Sequence, residues 1–257
     1  MPARGYRHAD ADELEVDVAR QDPGDVAARA PAIPPGLTRT SGRTLRAPVL
    51  LDLLAEELPD ATIALHFRNR WELLVATILS AQSTDVKVNE ATPALFATFD
   101  GPEAVAEATQ EEIEALISSL GLYRQKARNI RAAAALVLER HGGEVPDTME
   151  ELTALPGVAR KTANVVLSNG SGRNEGVVVD THVARLARRL RLTREQDAVR
   201  IERDLMRLFP RQRWLEVADL LIHHGRRTCT ARSPRCGACV IEPLCPSSQE
   251  AGCTDKR

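Results

Sequence analysis

Four of the five cysteines in this 257-residue chain, Cys229, Cys236, Cys239 and Cys245, lie close together with the spacing C-x6-C-x2-C-x5-C. Disulfides are rare in a reducing compartment, so this crowding points to a metal. Zinc sites usually pair their ligands in two C-x2-C knuckles, whereas this run has one close pair flanked by unequal gaps. Four thiolates from one compact loop suit a cubane cluster, each iron of which takes one cysteine, and the pattern favours [4Fe–4S] over zinc. With every ligand supplied by the protein, no coordination position stays open, so the cluster is expected to shape the loop rather than to carry out a reaction. Cys253 is left without a role.

Of the 34 basic residues only Lys87, Lys126, Lys161 and Lys256 are lysines. Arginine stays protonated and cannot serve as an amine nucleophile, so each lysine is a candidate for that chemistry. Lys161 falls in the first turn of an expected helix, where the positive end of the helix dipole disfavours an ammonium and favours the neutral amine that attack on carbon requires. Asp180, just before Thr-His-Val-Ala-Arg-Leu, is a good helix N-cap. An N-cap can also present its second carboxylate oxygen to a cleft. Leu155-Pro156-Gly157-Val158-Ala159 reads as a tight turn leading into the Lys161 helix, and the backbone N–H groups there suit a phosphate.

Helices must position these groups. Val49, Leu50, Leu53, Leu54 and Leu58 mark one amphipathic helix that begins near Pro48 and is closed by Pro59. Residues 71–80 are nearly all apolar, as expected of a helix buried on most sides. A single helix is predicted over 103–119, with Val105, Ile113, Leu116 and Ile117 on one face, and another over 126–140. Thr148 and Glu151 predict a capped start to a short helix at Met149. Further helices are expected over 160–169, 181–192, 194–209 and 213–224. Val177 to Val179 is too short for more than an extended approach to the Asp180 helix, so the fold class is all-α. The first 43 residues show no sustained apolar period and read as a disordered tail.

Charge is unevenly spread. The whole chain has a formal charge of −2, yet residues 181–235 hold 14 basic and 6 acidic side chains. Arg226, Arg227, Arg232 and Arg235 sit before or between the first two cluster cysteines, and a folded cluster loop would hold these guanidiniums as an array for phosphates. No apolar run approaches the roughly 18 residues of a membrane span. The N-terminus lacks the apolar stretch of a secretory signal, so a cytoplasmic, nucleoid-associated protein with no membrane partner is expected.

Together ILSAQSTD (78–85), GLYRQKA (121–127), LPGVARKTANVV (155–166), VDTH (179–182) and the four-cysteine loop resemble the endonuclease III family of iron–sulfur DNA glycosylases, over about residues 48–246. The resemblance implies a six-helix barrel domain over 69–177 that contains a helix-hairpin-helix. It also implies a cluster domain from 44–68 with 178–257, and a monomer that binds double-stranded DNA carrying damaged bases or abasic sites. In that reading Lys161 attacks C1′ of an oxidised pyrimidine nucleotide, Asp180 assists, and β-elimination nicks the strand. Gln82 fills the space left by the flipped base, Leu122 wedges beside it, and Gly157, Val158 and Ala159 hold a phosphate. The family usually has Gly-Val-Gly in the hairpin, so Ala159 is a departure, and it would cost about 1–2 kcal/mol if the turn were left-handed there.

Three other readings compete. An adenine-type mismatch glycosylase would lack Lys161, and a non-enzymatic DNA-binding module would need neither Lys161 nor Asp180. An electron-transfer protein would use only the cysteine loop.

Overall fold

The computed structural model describes residues 32–250, and the described part is helical with no strand. The expectations for residues 1–31 and for Cys253 lie outside the described residues. From residue 32 the chain departs from the expected tail: Ile33 and Leu37 pack against a hydrophobic core, and Arg39 pairs with Glu242 at 3.2 Å.

Helix α1 (Arg43–Glu57) starts five residues before Pro48 and carries that proline inside it. The earlier start has a physical cause in Arg46, a buried guanidinium that donates to the carbonyls of Ser41, Leu190 and Leu244. Those bonds fix the first turns of α1 against the C-terminal part of the chain.

Helix α2 (Arg70–Leu79) buries every residue from Trp71 to Leu79, Glu72 and Thr77 included, as its nearly all-apolar run predicts. Asn69 caps it by accepting the Glu72 N–H. Helix α3 (Asp85–Thr98) was not anticipated: it carries Pro93 inside it and its buried residues, Val88, Ala91, Thr92 and Leu95, make a narrow stripe.

The single helix expected over 103–119 is two, α4 (Pro102–Glu107) and α5 (Gln110–Ile117). The break lies at Thr109, whose hydroxyl accepts the Glu112 N–H while the Glu112 carboxylate accepts the Thr109 N–H. This reciprocal cap starts a new helix in the middle of an otherwise continuous apolar period.

Helices α6 (Tyr123–His141), α7 (Met149–Thr153) and α8 (Arg160–Gly170) complete the first core, which gathers buried side chains from Leu65 to Leu167. Helices α9 (Thr181–Arg189), α10 (Ala198–Leu208) and α11 (Trp214–Arg227) join α1 in a second core running from Ala47 to Leu58 and from Val177 to Leu244. Helix α10 begins only at Ala198, because the Asp197 side chain caps it there. Val165 of α8 packs against both cores, so the helix bearing Lys161 lies at their boundary.

Candidate active site and nucleic-acid interface

A cleft of about 320 Å³ opens where the two cores meet. Lys161 and Thr162 of α8, Asp180 at the head of α9, Gln82 after α2 and Ala159 of the hairpin all line it. Leu215, Ala218, Asp219, Ile222, His223 and Arg226 of helix α11 line it as well.

Two contacts position Lys161. Arg160 Nε and Nη2 each bond the Glu202 carboxylate at 3.1 Å, and Asn164 Nδ2 reaches the same carboxylate at 3.0 Å, tying α8 to α10. Gly176 lies against this carboxylate, and a Cβ there would collide with it. The chain can therefore pass closely beside Glu202 and run extended through Val177 and Val178 to Asp180.

Asp180 Oδ1 accepts the N–H groups of His182 and Val183, both at 2.8 Å. This cap uses one oxygen and leaves the other available in the cleft.

In the hairpin the left-handed residue is Gly157, with φ of 80°, and a Cβ there would strike Asn129. Ala159 is extended, with φ of −88° and ψ of 170°. The expected conformational cost of Ala159 is therefore absent. No side chain caps α8, so its first-turn N–H groups have no side-chain acceptor, an arrangement suited to an anion. Val158 differs from the expected phosphate ligand: its side chain is buried and its N–H donates to the Leu155 carbonyl at 3.1 Å, closing the turn.

Gln82 and Leu122 are 40 residues apart in sequence, yet both adopt left-handed conformations, with φ of 54° and 58°. Leu122 is 59 % exposed, unlike a core leucine. A Cβ on Gly121 would lie 3.6 Å from the Gln82 carbonyl, so the two loops adjoin. Each conformation costs about 1–2 kcal/mol, and strain of this kind gathers at functional sites.

All four cluster cysteines border one cavity of about 500 Å³. Among the described residues no three metal-ligating side chains converge tightly enough to hold a single ion. Sulfurs spread around a cavity fit a multi-iron cluster better than a lone zinc. Burial pushes the Cys239 thiol up to about 12 and the Cys245 thiol up to about 11, so their ionisation calls for a cationic group between them.

The loop is held by arginines that sequence reasoning missed. Arg185 Nη2 donates to the carbonyls of Gly225 and Cys229, while Arg189 donates to those of Thr230 and Ala231 and to Cys229 Sγ at 3.3 Å. Their four-residue spacing on α9 was the available signal.

The expected array of free guanidiniums is only partly present. Arg226 pairs with Asp85 at 2.7 Å, and Arg235 donates to the Arg227 carbonyl. The Arg227 and Arg232 side chains are exposed. Asp219 also faces the cleft and was not anticipated.

Residues 75–211 match the family model described as HhH-GPD superfamily base excision DNA repair protein. Residues 229–245 match the iron-sulfur binding domain of endonuclease III. The chain is 50% identical over 213 residues to endonuclease III of Synechocystis, covering 83% of this chain and 97% of that one. To endonuclease III of Escherichia coli K12 it is 43% identical over 196 residues, covering 76% and 92%. Its fold superposes with a TM-score of 0.77 on a trapped endonuclease III–DNA covalent intermediate, at 40% identity and with 81% and 98% of the chains covered.

Proposed function

The chain belongs to the endonuclease III family of helix-hairpin-helix DNA glycosylases, and from that premise we propose that Lys161 and Asp180 are its catalytic pair. The protein is a base-excision-repair glycosylase and AP lyase that carries a [4Fe–4S] cluster and binds DNA. The observation that carries the residue assignment is the meeting of Lys161, Asp180, Gln82 and Ala159 in one cleft.

In this reading the substrate is double-stranded DNA bearing an oxidised pyrimidine or an abasic site, and the enzyme acts as a monomer in the cytoplasm, at the nucleoid. The barrel, residues 69–177, and the cluster domain, residues 44–68 with 178–257, grip the duplex on either side of the cleft. Flipping costs a few kcal/mol of stacking, least at a lesion. Gln82 and Leu122, already held out in strained loops, enter the space the base leaves. The first-turn N–H groups of α8 and the Arg227 and Arg232 guanidiniums take phosphates.

Lys161 Nζ then forms a bond to C1′ while the C1′–N bond breaks, its electron pair leaving with the base. The free carboxylate oxygen of Asp180 accepts the ammonium proton and stabilises positive charge at C1′. The C1′–O4′ bond then breaks as O4′ takes up the proton that Asp180 received, and the nitrogen lone pair closes to a protonated imine between Lys161 and C1′. Abstraction of a C2′ proton expels the 3′ phosphate and cuts the strand. Cys229, Cys236, Cys239 and Cys245 would hold the cluster, which would fix the fold of the loop.

Borohydride reduction tests the assignment. Wild-type protein should be trapped covalently on duplex carrying an oxidised pyrimidine, and Lys161→Gln should trap none. Equal trapping by that variant would remove Lys161 from the role.

A further inference from the structure

Helix α11 turns one face to the cleft, made by Leu215, Ala218, Asp219, Ile222, His223 and Arg226. Leu215, Ala218 and Ile222 are the apolar members of that face, each within four residues of Asp219 on the helix. Of its polar groups, Arg226 is committed to Asp85 at 2.7 Å and His223 Nε2 to the Thr62 carbonyl at 2.8 Å. Across the cleft Asp180 has one oxygen committed to its helix cap, and Lys161 is the amine. On α1, which packs behind α11, Asp52 pairs with Arg213 and Glu57 lies beside His224. Asp219 alone on this wall has no hydrogen bond or ion pair among the described residues. A half-buried carboxyl set beside apolar side chains without a partner is costly unless something that enters the cleft supplies one.

We propose that Asp219 contacts the extrahelical base, donating a hydrogen bond from its neutral carboxyl to the base as it departs. The proposal rests on the glycosylase reading above and deepens it by assigning the group that faces the base rather than the sugar.

The chemistry fits. A neutral carboxyl presents an O–H donor beside a C=O acceptor, which matches the adjoining C=O and N–H of a pyrimidine ring. When the C1′–N bond breaks, its electron pair moves into the base and gathers on a carbonyl oxygen attached to the ring, where a donor's hydrogen bond strengthens as the transition state forms. Burial pushes the Asp219 carboxyl up to about 7, with no charged group opposing it, so a large share is the neutral donor at neutral pH. An abasic site presents no base, and the contact is irrelevant to its cleavage.

Single-turnover rates separate the two steps. The full-length protein with its cluster is assayed from pH 6 to 9 for base excision from a duplex carrying an oxidised pyrimidine, and for nicking of a preformed abasic site. In the wild type the ratio of excision to nicking should fall about tenfold per unit above pH 7. Asp219→Asn, which keeps a permanent donor and acceptor, should hold the ratio flat with pH. Asp219→Leu should lower it at least about tenfold at pH 7. A wild-type pH dependence in Asp219→Asn, or an unchanged ratio in Asp219→Leu, would overturn the proposal. Failure of the wild type to excise the base at any pH would instead remove the glycosylase reading, and the base contact that rests on it would fall too.

Discussion

Lys126 Nζ, buried within helix α6, donates to Ser83 Oγ at 2.7 Å. The bond links the helix that follows Leu122 to the turn that holds Gln82, so the loops carrying these two exposed side chains are tied together through a charged hydrogen bond. Burial also lowers the Lys126 affinity for its proton, which makes the hydroxyl partner more important.

The two ends of this bond should respond unequally. Ser83→Ala leaves a buried ammonium without its acceptor and should cost about 2 kcal/mol. Lys126→Met removes the charge and keeps the bulk, so it should cost less, and the double variant should resemble Lys126→Met. Denaturant melts of the three variants measure this, and equal, additive losses would show that the bond does not brace the loops.

Asp180 serves as both helix cap and cleft acid, and the roles separate by substitution. Asparagine caps nearly as well as aspartate, so Asp180→Asn should melt close to wild type while its single-turnover rate falls about 10²–10⁴-fold. Asp180→Ala should lose as much activity and about 1 kcal/mol of stability as well.

In the hairpin the demanding position is Gly157. Gly157→Ala must place a Cβ against Asn129 at a positive φ, and it should weaken duplex binding severalfold and lower stability by about 1–2 kcal/mol. Ala159→Gly should leave stability within about 1 kcal/mol, because an extended backbone suits alanine. Fluorescence anisotropy with labelled duplex, beside thermal melts, compares the two.

The raised Asp219 carboxyl also sets a stability profile. Its ordinary value is 3.8 and its folded value about 7, so the native state binds this proton more tightly than the unfolded chain does. Its contribution to stability therefore falls as pH rises from about 4 to about 7 and stays at its lowest above that. Asp219→Asn should raise stability at pH 8 by about 2–4 kcal/mol, a gain that shrinks by about half at pH 5.5. A constant gain across that range would show that the carboxyl titrates normally.

Iron content tests the cysteine loop. The purified protein should be yellow-brown with about four irons per chain. Cys239→Ser should lose iron and loosen the 229–245 loop, with protease cleavage between Arg227 and Arg235 as the readout.

What could be read along the chain concerned groups whose role depends on near neighbours. The all-α class follows from the 3.6-residue period of the apolar positions, the cluster ligands from four closely spaced cysteines, and the Asp180 cap from its place just before an amphipathic run. The Gly157 turn and Lys161 at its helix start are local in the same sense. Even locally the apolar period hid the Thr109 cap, because a break between two helices can preserve the same buried face. Other features came only from tertiary structure. The Gln82 loop adjoins Gly121 because α2 and α6 share a core, Arg226 is held by Asp85 from another helix, and Asp219 is left unpaired among the described residues because His223 and Arg226 beside it are committed elsewhere. These depend on which faces pack together, and so on partners and burial that sequence spacing does not encode: the sequence by itself determined the chemistry available to this protein, and the packing of its two cores decided which groups were free to use it.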